Sequence, residues 1–142
     1  MDVDKLLRAL DDDTNDTLMN FNSKKIKQMN LEVISELILS KSENKTIMDK
    51  LSGYKYIDEI NDLRYGTYIR WINIEDPKNI CLNKGALFCN IEITNDGIIL
   101  ICKNFGYKNK HFRLNMDSNL IFQKLTEQEN ILILALDHIS KY

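Results

Sequence analysis

Residues that most often carry catalysis, ligand binding or export are scarce in this sequence. Its 142 residues include two histidines, three cysteines, five glycines and one proline. With His111 and His138 as the only imidazoles, an acid–base or nucleophilic set is hard to assemble, and nothing in the spacing places either beside a thiol. The glycines are scattered singly, so no loop offers the run of backbone amides that cradles phosphate, and no Ser-centred elbow occurs. Cys81, Cys89 and Cys102 are odd in number and lack C-x-x-C spacing. They read as reduced thiols of a cytosolic protein, with neither a disulfide framework nor a zinc site expected. Apolar runs stay far short of the roughly 20 residues that cross a bilayer. Asp2, Asp4, Lys5 and Arg8 break the stretch where a signal peptide would be apolar, so neither export nor a membrane is expected. Charge of one sign is not in excess either. With 19 basic and 21 acidic residues the net charge is −2, and any electrostatic grip on nucleic acid or lipid must be local.

What is present is a 44% hydrophobic content, enough for the core of one domain, or of a small domain with a helical appendage. The pattern divides near residue 54 into a helical region, 1–53, and a small β-sheet or barrel with a C-terminal helix, 54–142. Val3, Leu6, Leu7 and Leu10 recur at helical spacing and form one stripe of a short amphipathic helix, ended by the polar run Asp11 to Asp16. A second stripe, Leu31, Ile34, Leu37 and Ile38, predicts another helix. Leu18 to Met29 is read as helical, with Ser23 as an internal cap, and Lys45 to Leu51 as a short helix stopping at Gly53.

From Tyr54 the signals turn to strand. Thr67 to Ile74 is rich in β-branched and aromatic residues and is bounded by Gly66 and Asp76-Pro77. Ala86 to Thr94 and Ile98 to Lys103 flank Asn95-Asp96-Gly97, whose Asp-Gly pair accepts the positive φ of a tight hairpin. His111 to Asn115 adds a fourth strand. Thr126 and Glu129 then form a capping box, the sequence signature of a helix start, ahead of the apolar run Ile131 to Leu136. The predicted fold is α+β: N-terminal helices, a small antiparallel sheet or partly closed barrel, and a C-terminal capping helix.

Four phrases occur in order in the second half: Tyr-Ile-Asp-Glu-Ile (56–60), Gly-Thr-Tyr-Ile-Arg-Trp-Ile (66–72), Ile-Cys-Lys-Asn (101–104) and Ile-Phe-Gln-Lys-Leu-Thr-Glu-Gln-Glu (121–129). Over roughly 54–140 the chain thereby resembles uncharacterised small proteins of giant nucleocytoplasmic DNA viruses. The resemblance implies a protein of the infected cytoplasm or the virion. It brings no catalytic motif, and it leaves the first third unaccounted for.

Three constellations bear on function. Asp11, Asp13 and Asn15 match positions 1, 3 and 5 of a calcium loop, but Asp16 stands where that loop needs glycine and Asn22 where it needs a bidentate glutamate. The segment therefore reads as an acidic connector, and no metal or other cofactor is expected. The stretch from Lys103 to Arg113 holds Lys103, Lys108, Lys110 and Arg113 and no acid, with Phe105, Tyr107 and Phe112 interleaved; Tyr68, Arg70 and Trp71 are candidates for the same surface. Cations that track phosphates beside rings that stack bases are how small sheets hold single-stranded nucleic acid. The same residues would serve equally as a solvated loop over core rings, or as lysines that protect a sheet edge.

The last constellation is apolar. A terminal helix that is hydrophobic nearly all round must be covered, by the helical first third or by another subunit. Leu132, Leu136 and Ile139 on that helix, with Leu6 and Leu10 on the first, are the expected partner interface. The sequence thus predicts a noncatalytic interaction or assembly module binding a protein partner or itself. Single-stranded nucleic-acid binding through Arg70, Trp71, Lys103, Tyr107, Lys108, Lys110 and Arg113 is the alternative. No small-molecule substrate is evident.

Overall fold

The computed structural model of the chain describes residues 3–11, 22–104 and 110–139. Helix α1 spans Val3–Asp11 and α2 spans Ser23–Ser35. The cap of α2 is Asn22, not Ser23: its side-chain oxygen accepts from the Lys25 amide at 2.9 Å. This satisfies one of the donors left over in a first helical turn. Ser23 is committed elsewhere, with its amide 2.9 Å and its hydroxyl 2.6 Å from the Asp137 carboxylate near the end of the last helix. The buried face of α2 also differs from the predicted stripe. Ile26, Asn30 and Ile34 point inward at i, i+4 and i+8, while Leu31 is exposed. The helix has ended before Leu37, and Ile38 turns the chain at φ 55°, an unusual conformation for a β-branched residue, with 91% of its surface exposed.

Helix α3, Lys41–Lys50, begins four residues before the expected Lys45 because Ser40 caps it. Its hydroxyl accepts from the Glu43 amide at 3.2 Å and donates to the Glu43 carboxylate at 3.0 Å. The chain leaves the helix through Gly53, whose φ of 83° falls where a side chain would be strained.

Six antiparallel strands follow: β1 Tyr54–Ile57, β2 Tyr68–Asn73, β3 Ala86–Thr94, β4 Gly97–Lys103, β5 His111–Asn115 and β6 Asn119–Lys124. Their order in the sheet is β1-β6-β2-β3-β4-β5. The hairpin joining β3 to β4 turns at Asn95-Asp96 with the positive φ on Gly97, at 111°, and a bulge lies between Phe88 and Asn90. Helix α4, Glu127–Ile139, closes the chain.

The sheet has two differently covered faces. Tyr54, Tyr56, Ile72, Leu120 and Phe122 face α2 and α3, where they pack with Ile34, Ile47 and Leu51; helical region and sheet share this core. On the other face Ile57, Ile121, Ile69, Phe88, Leu100, Cys102 and Leu114, drawn from every strand, pack with one another. A flat sheet cannot do that. Trp71 on β2 and Phe112 on β5 stand three strand spacings apart in the order, about 14 Å if the sheet were flat. Their ring centroids are 5.4 Å apart. The sheet therefore curls round its own inner face without closing.

A loop seals that inner face. Gln123 on β6 is buried, and its amide oxygen accepts from the Arg64 amide at 2.8 Å and the Thr67 hydroxyl at 3.0 Å while its nitrogen donates to the Asp62 carbonyl at 3.1 Å. Leu63 joins the inner core, and Tyr65 stacks on Phe88 at 5.4 Å.

Candidate interaction surfaces

The structure divides the basic aromatic constellation. Consecutive residues on a strand point to opposite faces, and Arg70 and Trp71 do so on β2. Arg70 lies on the helix-covered face, where Nε donates to the Asn83 carbonyl at 2.9 Å and Nη1 to the Lys50 carbonyl at 3.2 Å. Its guanidinium braces backbone. Trp71 packs against the inner core with Phe112, so neither ring forms an open stacking platform. Tyr68 is half exposed, with Lys124 Nζ 5.8 Å from its ring centre.

Lys103, His111 and Arg113 do share a surface. Lys103 is opposite His111, and Ile101 opposite Arg113, which places all three on the outer face of β4 and β5. Arg113 is paired there: its guanidinium is 2.8 Å from the Glu92 carboxylate on β3. The pair bridges over β4 and shields Ile99, which is buried, and Ile101. Lys110 is exposed just before the strand. Phe105, Tyr107 and Lys108 lie outside the described residues, as do Asp13 and Asn15 of the calcium-like run.

The helical surface is formed differently. The predicted box at α4 is present: Glu129 Oε1 accepts from the Thr126 amide at 2.9 Å, and Thr126 Oγ1 from the Glu129 amide at 3.1 Å. The buried Glu129 carboxylate also faces Arg64 at 3.6 Å. Beyond the cap, Leu132 and Ile133 bury against Ile26 and Leu125, and Leu136 is half-buried. The helix is not covered all round, for Leu134 is 60% and Ile139 67% exposed. Helix α1 packs along α4, with Lys5 Nζ 2.6 Å from Glu127 Oε1, and it too leaves apolar side chains in solvent at Val3 and Leu7. The side chains of Leu6 and Leu10 lie outside the described part of the structure. The Val3-Leu6-Leu7-Leu10 stripe read as a docking element does expose Val3 and Leu7, whereas Leu132, expected at the interface, is buried, and Leu134 beside it is exposed. A helix of such even hydrophobicity gives no periodic cue to which side is covered.

The two sheet edges are treated unequally. Buried Asn30 on α2 donates to the Tyr54 carbonyl and accepts from the Tyr56 amide, both at 2.9 Å. One carboxamide thus occupies the free edge of β1 as a neighbouring strand would. Edge strand β5 has no such cover among the described residues.

The three thiols differ in access: Cys81 is exposed, Cys89 half-buried and Cys102 buried. Cys102 is fully buried, and burial, with a smaller contribution from nearby Cys89, pushes its pKa up to about 12. Its side chain is on the inner face and His111 on the outer, so the sheet separates them. A groove of about 510 Å³ between α2, the turn at Ser52-Gly53 and α4 is lined by Ile26, Leu51, Leu125 and Ile133 with Lys27 and Asp49. A smaller hollow of about 270 Å³ lies where β1 approaches the β5–β6 connection; Asn119 lines it and has a buried side-chain oxygen with no partner among the described residues.

No family model, curated protein or solved structure matches the chain. Among the described residues no helix is long and apolar enough to cross a membrane.

Proposed function

We propose that the protein is a noncatalytic interaction module that associates through the outer surface of α1 and α4, with a second copy as the first occupant. The observation that supports this is the set of large apolar side chains left in solvent on two adjoining helices: Val3, Leu7, Leu134 and Ile139. Helix α1 packs on α4, so these exposed apolar side chains belong to adjoining elements, and exposed hydrophobic surface is a feature of docking sites. The near balance of charge, −2 overall, favours a second copy, because copies of the chain do not repel one another strongly. The setting that goes with this reading is the one the viral resemblance implies, infected cytoplasm or virion.

Nucleic-acid binding is the second reading, and what supports it is the pair of lysines, Lys103 on the outer face of β4 and Lys110 exposed just before β5. It is weaker than the sequence suggested, since Trp71 and Phe112 are committed to packing and Arg113 to an ion pair. Base stacking, about 1–3 kcal/mol per base, would have to come from other rings.

The test is a comparison of three chains by light scattering. Leu134→Asp with Ile139→Asp places charges on the α4 surface. Ile93→Asp is the control, since Ile93 is 81% exposed at the tip of the β3–β4 hairpin. The reading expects association in the wild type and the control and its loss in the α4 variant. Loss in both variants, or in neither, contradicts it.

A further inference from the structure

We propose that the outer edge of β5 accepts an extended segment of a partner protein in which acidic and apolar residues alternate, adding a strand to the sheet. This surface is separate from α1 and α4 and stands or falls without them.

The phase of the β4–β5 ladder decides which groups are free. Asn104 donates to the Lys110 carbonyl at 3.0 Å. Antiparallel pairs alternate between bonded and non-bonded, so Phe112 and Leu114 turn their amides and carbonyls towards β4 while His111 and Arg113 turn theirs outward. Both outward residues are exposed, and no described group meets their outward amides and carbonyls. An unpaired edge of this kind is a template for a further strand. The contrast with β1 gives the vacancy meaning, for there Asn30 fills the equivalent positions.

The side chains specify the guest. On the outer face a new strand beside β5 would meet His111 and the Arg113–Glu92 ion pair, with Lys103 one strand beyond and Lys110 at the entry supplying the basic charge. Carboxylates complement it. On the inner face the guest would extend the layer of Phe112 and Leu114, which calls for apolar residues. Alternation follows from the period of a strand. A second copy of β5 fits poorly, because antiparallel pairing would bring the Lys110 and Arg113 of one copy against the same basic strand of the other, with no added carboxylate to meet them.

The experiment titrates the full-length chain with a fluorescent peptide of alternating Glu and Val, with a Lys/Val peptide as control, and follows amide exchange by NMR. The proposal expects binding of the acidic peptide, slowed exchange at the His111 and Arg113 amides, and weak or no binding of the basic one. His111→Pro removes one outward donor at the first position of a strand, where proline is tolerated, and should weaken binding about tenfold. Lys110→Glu should weaken it too and steepen the preference against acid. Absence of binding overturns the proposal, as does equal affinity for the two peptides or binding that leaves both amides unprotected. A single-stranded oligonucleotide that displaces the peptide without protecting those amides also overturns it, in favour of a phosphate-binding surface. Repeating the titration in the Leu134→Asp, Ile139→Asp chain separates this result from the fate of the helical surface.

Discussion

Gln123 sits on the inner face of β6 with its amide engaged by three partners, the Arg64 amide, the Thr67 hydroxyl and the Asp62 carbonyl. Leucine there would keep the volume and strand the loop's polar groups. Gln123→Leu is therefore expected to lower unfolding free energy by about 2–3 kcal/mol in urea titration. A second consequence at this scale is alkaline sensitivity. Burial raises Cys102 from 9.0 to about 12, and burial likewise raises Tyr54 and Tyr56 above 10.0. The folded chain thus holds these protons more tightly than the unfolded one. The stabilising contribution of Cys102 is complete below pH 9.0 and is lost as pH rises towards about 12, and that of the two tyrosines is lost above pH 10.0. Thermal melts across that range should fall steadily, and Cys102 should resist alkylation at neutral pH while exposed Cys81 reacts. The roles of single residues were poorly legible in the sequence. Arg70 and Trp71 are neighbours in the chain and looked like one surface, yet the strand sends them to opposite faces. Asn30 gave no signal, because its partners are 24 and 26 residues away.

At the scale of elements, local chemistry was legible wherever the deciding groups are close in sequence. The Thr126–Glu129 box and the Gly97 turn are contained within four residues each, and both occur where the sequence put them. Thr126→Ala removes half of the box and should cost about 1 kcal/mol of stability, with the loss of helicity confined to the start of α4 by amide exchange. Strands β1 and β6 were not foreseen. Strand β6 lies between β1 and β2 and is buried at Asn119, Ile121, Phe122 and Gln123, so it shows no alternation of polar and apolar residues. Strand β1 is only four residues long and carries Lys55 inward. The start of α3 was missed because the Ser40 cap stands ahead of a polar first turn, where no apolar period marks a helix.

For the molecule as a whole, α+β class, the antiparallel sheet and a C-terminal helix followed from composition and pattern; that helix packs on α1 and α2. Pattern left an open sheet and a partly closed barrel as alternatives; the curl without closure depends on Trp71 meeting Phe112 across strands that are not neighbours. The uneven cover of α4, which packs Leu132 and Ile133 inward and leaves Leu134 and Ile139 to solvent, did not follow from pattern. That exposed surface is the centre of the functional account. Sedimentation equilibrium of the wild-type chain over a wide concentration range tests it most directly. The account predicts a mass that rises with concentration from 16.6 kDa towards a multiple of it. A mass that stays at 16.6 kDa throughout would contradict self-association through α1 and α4.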